Sequence, residues 1–119
     1  MKRVLIVEDP RTHSEALTMM LDRESDLKVA GQTSSVAECR NFVGGEKGSD
    51  VLLVDLLRPD DQGTNLVEGL RNSCPHTPML VLTMSLDPLD HERVMKAGAD
   101  AVLSKSASPD EIASTLRRL

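Results

Sequence analysis

The stretch Val51-Leu52-Leu53-Val54-Asp55 decides the fold. Four apolar residues follow one another with no polar residue between them, which does not suit a strand with one wet face. Such a run reads as a strand covered on both sides, and strands of that kind belong to parallel sheets flanked by helices. Val4-Leu5-Ile6-Val7 and Met79-Leu80-Val81-Leu82 have the same character, and residues 27–30 and 101–103 are weaker runs of the same kind. Between the runs the spacing turns helical. Ala16, Leu17, Met20 and Leu21 share one stripe. Residues 35–43 carry Val36, Ala37, Phe42 and Val43 and stop at Gly44-Gly45, and residues 65–72 carry Leu66, Val67 and Leu70. A fourth helix opens at Pro88, places Val94, Met95 and Ala97 on its apolar side and ends at Gly98. The last opens on Ser108-Pro109-Asp110-Glu111, a serine cap followed by proline and acids, and buries Ile112, Ala113, Leu116 and Leu119. The order is strand then helix, five times over, which predicts an α/β sandwich with right-handed crossovers.

The chain has 119 residues, enough for one domain with a real core. It has no repeat, low-complexity segment or interdomain linker. Phe42 is the only aromatic residue, so the core is expected to be aliphatic. That scarcity argues against single-stranded nucleic-acid platforms, which stack bases on rings, and against aromatic cages for quaternary ammonium ligands. A net charge of -5 argues against a duplex-binding surface. Cys39 and Cys74 are too few for a disulfide framework and read as free thiols of a reducing compartment. The run after Met1-Lys2-Arg3 is too short for a signal peptide or a membrane span, so the expected location is the cytoplasm, without membrane contact.

In open parallel sheets the site lies beyond the carboxyl ends of the strands. The first run is followed by Glu8-Asp9, the third by Asp55, the fourth by Thr83, and the fifth by Ser104-Lys105. Three carboxylates, a hydroxyl and an ammonium therefore converge on one sheet edge. Clustered carboxylates repel and call for a cation, and an all-oxygen set suits Mg²⁺ or Mn²⁺. A carboxylate flanked by a metal, an ammonium and a hydroxyl is placed to attack phosphorus, with the positive groups neutralising the equatorial oxygens. Asp55 is the best nucleophile, because it ends the most apolar strand.

From end to end, residues 1–119, the chain resembles a receiver domain of a bacterial two-component response regulator. The resemblance rests on Val4-Leu5-Ile6-Val7-Glu8-Asp9, Asp55-Leu56-Leu57-Arg58-Pro59 with Gly63, Val81-Leu82-Thr83-Met84-Ser85, Ala97-Gly98-Ala99-Asp100-Ala101 and Leu103-Ser104-Lys105. It implies a flavodoxin-like, doubly wound (βα)5 fold with strand order 2-1-3-4-5. It implies that Asp55 accepts a phosphoryl group from a sensor histidine kinase. Asp9, Asp55 and the backbone carbonyl of Leu57 would hold Mg²⁺, with Glu8 acting through water. Thr83 would hydrogen-bond the phosphoryl group and Lys105 would pair with it. Residues 105–112 are similar to receivers that precede a LuxR-type helix-turn-helix output domain. DNA would then be bound only through a C-terminal output domain that this chain does not include, in a longer regulator or, alternatively, not at all in a free-standing receiver. A homodimer on phosphorylation is expected, with the helices after Pro10 and Ser108 as the first candidates for its surface.

Some positions depart from the family pattern. Ser106 follows the lysine where many receivers have proline, which removes the ground for a cis peptide there. Arg58, Asp60 and Asp61 make the loop after Asp55 unusually charged. Met84 is expected to narrow access to Asp55, and Leu57 and Ser85 fall at two variable positions thought to tune dephosphorylation. Val102 takes the place of an aromatic that commonly swings inward with the threonine. A valine is stiff and has no ring to move, so the usual coupling is missing or reduced.

Other readings stand beside this one. An aspartate-nucleophile phosphohydrolase would want a second carboxylate two residues after Asp55, where this chain has Leu57. A flavodoxin-like cofactor module would want a glycine- and hydroxyl-rich loop in place of Glu8-Asp9-Pro10. A degenerate receiver could serve as a phosphorylation-independent interaction module, though its acidic and basic positions are all present. His13, His76 and His91 lack ligand spacing and read as surface or capping residues. Met19, Met20 and Met95 read as core filler, and Lys96 as part of a solvated face.

Overall fold

The computed structural model describes residues 1–11, 15–45 and 48–119. His13 lies outside these residues. Among the described residues five strands alternate with five helices: β1 Lys2–Glu8, α1 Ala16–Asp22, β2 Leu27–Thr33, α2 Val36–Val43, β3 Val51–Asp55, α3 Asp61–Ser73, β4 Met79–Thr83, α4 Pro88–Ala97, β5 Ala101–Ser104 and α5 Pro109–Arg118. The strands form one parallel sheet in the order β2-β1-β3-β4-β5, as the resemblance implied.

The continuous apolar runs are buried on both faces because alternate residues enter different cores. Leu5, Val7, Leu52, Val54 and Val81 point into one cluster with Cys39, Val67, Leu70 and Val94 from α2, α3 and α4. Val4, Ile6, Val51, Leu53, Leu80 and Leu82 point into the other, with Leu21 of α1 and Ile112 and Leu116 of α5. Fully burying each such side chain stabilises the fold by about 1.5–3 kcal/mol, so the three central strands anchor everything else. Phe42 packs edgewise onto Gly31 of β2, where a Cβ would strike its ring. The sole aromatic is thus a spacer between α2 and the outer strand.

Helix starts follow the caps. Ser35, Asp87 and Ser108 accept backbone N–H bonds from Glu38, Leu89 and Glu111. The third helix opens at Asp61, four residues before the expected start at 65. Asp60 is its cap and accepts the Gly63 N–H at 2.9 Å. The polar first turn, Asp61-Gln62-Gly63-Thr64, carries no apolar stripe and so hides a helix beginning. Two further expectations are corrected: Met19 and Met95 are exposed rather than core filler, while Met20 does pack against the core. Lys96 is exposed and pairs with Glu92.

At the amino-terminal edge of the sheet, Arg71 of α3 ties two loops together. Its guanidinium donates to the carbonyls of Cys74, Pro75, Thr77 and Gly98 and pairs with Asp100 at 2.6 Å. Asp100 in turn accepts the Met79 N–H at the start of β4. Among the described residues no helix is long and apolar enough to cross a membrane.

Candidate functional site

The sheet register delivers the acidic residues to one place. Glu8 is the last residue of β1 and lies opposite Asp55, the last residue of β3. Asp9 follows directly, and its N–H donates to the Asp55 carbonyl at 2.9 Å. Glu8, Asp9 and Asp55 are only 7, 1 and 3% exposed. Thr83 ends β4 and is fully buried. Its carbonyl accepts the Lys105 N–H at 2.8 Å, which brings the lysine over the neighbouring strand end. The expected residues therefore meet at one edge.

Asp55 faces Lys105 across 2.7 Å between Oδ1 and Nζ. The ammonium approaches outside hydrogen-bonding geometry, so the contact is a charge pair. Beside it opens a cavity of about 370 Å³ between α1 and α5, lined by Leu17, Met20, Leu82, Pro109 and Ile112, with Asp55 and Lys105 on its wall. Met84, next to Thr83, is 65% exposed and does not line this cavity.

Asp9 is neutralised differently. Arg11 lies two residues on, and its backbone N–H donates to Asp9 Oδ1 at 3.0 Å, closing an Asx-turn. The guanidinium then takes both carboxylate oxygens, Nε to Oδ1 at 3.0 Å and Nη2 to Oδ2 at 2.7 Å. These side-chain bonds hold the Asp9 carboxyl below its ordinary range against the opposing effect of burial, helped by the backbone N–H groups of Arg11 and Leu57. The Leu57 backbone thus sits against the Asp9 carboxylate. The other side of the guanidinium reaches Asp60, Nη1 to Oδ2 at 2.7 Å and Nη2 to Oδ1 at 3.0 Å. Asp60 is also held well below the carboxylate range, first by Arg11, then by the Gly63 N–H and Arg58.

The charged loop after Asp55 is thereby fully paired. Arg58 bonds Asp60 at 3.1 Å, and Arg93 of α4 bonds Asp61 and the Pro59 carbonyl. Gly63 makes the turn possible, since a Cβ there would collide with the Arg58 carbonyl oxygen. The sequence reading missed Arg11 and Asp60 as members of the site. The available signal was a cation two residues beyond a buried acid.

On the far side of the site, Thr83 Oγ1 accepts the Ser85 N–H at 3.2 Å. Ser85 Oγ bonds Asp90 at 2.6 Å, and its carbonyl meets His91 Nε2 at 2.7 Å. His91 is therefore a structural residue, and Ser85 joins Thr83 to the first turn and a half of α4. Val102 packs partly buried against the core on the α4 side. Among the described residues no peptide bond is cis, that after Lys105 included.

Among the described residues no three acidic, histidine or cysteine side chains surround one point as metal ligands would. The donor set that would suit a divalent ion is smaller: the carboxylates of Asp9 and Asp55, the first of them held by Arg11. Hard cations of the Mg²⁺ type accept such a set and complete it with water.

The model of the response regulator receiver domain family matches residues 4–117. The chain belongs to that family. This receiver is 32% identical over 118 residues to an uncharacterized transcriptional regulatory protein, YvfU, of Bacillus subtilis, covering 99% of this chain and 58% of that protein. It is 28% identical to the response regulator protein VraR of Staphylococcus aureus over 98% of this chain and 55% of that one. The chain thus spans little more than half the length of these relatives. Among solved structures, a LuxR-family response regulator from Aurantimonas sp. SI85-9A1 superposes with a TM-score of 0.80 at 19% identity, covering 99% of this chain and 84% of that one. The RcsB regulator of Salmonella typhimurium gives 0.76 at 22%, covering 98% and 57%. These likenesses support the fold. The receiver is a signalling module of two-component systems, not a member of a classical enzyme family.

Proposed function

We propose that Asp55 is the phospho-acceptor of this receiver. One observation carries the reading: a nearly buried carboxylate at the end of the central strand, neutralised by one ammonium and bordering an open cavity. A carboxylate oxygen of Asp55 attacks phosphorus, and the bond from phosphorus to the donor, a phosphohistidine of a sensor kinase or a small acyl phosphate, breaks as the new bond forms. Lys105 offsets the charge on the phosphoryl oxygens, and Thr83 is free to donate its hydroxyl proton to one of them while still accepting from Ser85. The carboxylates of Asp9 and Asp55 and the carbonyl of Leu57 would hold Mg²⁺ or Mn²⁺, with Glu8 acting through water. A bound ion of this kind supplies positive charge to the transferring group.

The receiver so phosphorylated controls an output domain, and the relatives that bear transcriptional names support DNA-binding output in a protein longer than this chain. Phosphorylation promotes a homodimer through the helices after Pro10 and Ser108, and the protein works in the cytoplasm. The direct test is intact-mass spectrometry after treatment with acetyl phosphate and Mg²⁺. One added phosphoryl group is expected, lost in Asp55→Asn. Beryllofluoride with Mg²⁺ should likewise shift the amide signals of residues around Asp55, Thr83 and Lys105. An adduct that persists in the variant, or no adduct in the wild type, overturns the reading.

A further inference from the structure

Arg11 occupies the oxygen atoms that a cation at Asp9 would need. Its fork engages both carboxylate oxygens of Asp9 at 2.7 and 3.0 Å, and the two acids share its three nitrogens. Asp9 is 1% exposed, so the guanidinium stands in place of water on that carboxylate. A divalent ion and a guanidinium cannot both bind the same two oxygens closely. The repulsion between them would be strong at such short range in a site screened from solvent. Arginine keeps its charge at every accessible pH, so deprotonation cannot relieve the competition. Asp60, by contrast, is a secure second seat, because the Gly63 N–H and Arg58 hold it independently of Asp9.

We propose that Arg11 is a built-in competitor for the divalent cation of this receiver. It holds the Asp9 subsite closed, and cation binding requires it to leave Asp9 and remain on Asp60. Arg11 is thus a positioning residue that sets the concentration of Mg²⁺ at which the site becomes competent. The inference rests on the reading of Asp9 as a metal ligand.

The experiment is Mn²⁺ titration of the whole chain followed by electron paramagnetic resonance, with Mg²⁺ calorimetry beside it, on wild type, Arg11→Ala, Arg11→Lys and Asp9→Asn. Arg11→Ala should bind about tenfold more tightly, which is about 1.4 kcal/mol. Arg11→Lys, which keeps the charge but not the fork, should fall between. In the wild type, added Mg²⁺ should shift the Arg11 Nε–H signal and leave the Gly63 amide, which reports the Asp60 cap, in place. Equal affinity in wild type and Arg11→Ala, with binding lost in Asp9→Asn, overturns the competitor and leaves the metal reading standing. Binding that is unchanged in Asp9→Asn, or absent from wild type and Arg11→Ala alike, overturns both.

Discussion

Asp9 and Asp55 stand at the ends of neighbouring strands and are buried to nearly the same degree, yet their charges are met in opposite ways. Asp9 is enclosed by its own loop: a guanidinium on both oxygens, with backbone N–H groups behind it. Asp55 has one ammonium, delivered from beyond β5, and a cavity beside it. A carboxylate whose lone pairs are all engaged is a poor nucleophile, whereas one held by a charge pair can still attack. Burial alone does not mark the reactive acid. The partner's origin and directionality do.

The comparison can be broken by removing each cation in turn. Lys105 and Arg11 are equally exposed, at 22%, so a difference between them reflects what each leaves behind. Lys105→Met strands Asp55 and should cost about 2–3 kcal/mol in urea unfolding, while Arg11→Met leaves Asp9 its N–H donors and should cost clearly less. The reverse ranking would show that Asp9, not Asp55, depends on a single partner. Gly63→Ala sharpens the picture from the Asp60 side. The added Cβ meets the Arg58 carbonyl, and the cost should be about 1–2 kcal/mol by calorimetry, with the Arg11 Nε–H signal displaced as its second seat moves. The smallest effect is in pH. The Asp9 carboxyl is held below its unfolded value, so its contribution is fully present above roughly pH 4 and is lost as pH falls through the lower folded value. Asp9→Asn should therefore show a slightly shallower fall in melting temperature below about pH 4 than the wild type. An identical acid limb would mean that Arg11 does not stabilise the Asp9 charge.

The sheet was legible because unbroken runs such as Val51-Leu52-Leu53-Val54 have one structural use, and the strand ends then told where acids and lysine would meet. Caps at Ser35 and Ser108 were legible for the same reason: the interaction is local. The start of α3 was not, since its first turn is polar on every side. Nor were the exposures of Met19 and Met95, which depend on how far round each helix the core extends. The Arg11–Asp60 pairing joins residues 49 apart in the chain. The Arg71 fork reaches as far as Gly98 and Asp100. Neither leaves a periodic trace, because long side chains choose partners only after the backbone has brought them within reach.

Ser85 gives the molecule an unusual transmission. Its N–H, hydroxyl and carbonyl are each committed, one to Thr83 and two to the first turns of α4. These connections through one residue act as rods pinned at a single joint: a shift of the backbone beside Thr83 bears directly on the bonds to Asp90 and His91. Thr83 is tied to α4 through this one joint, so play there would be lost motion between the site and that helix.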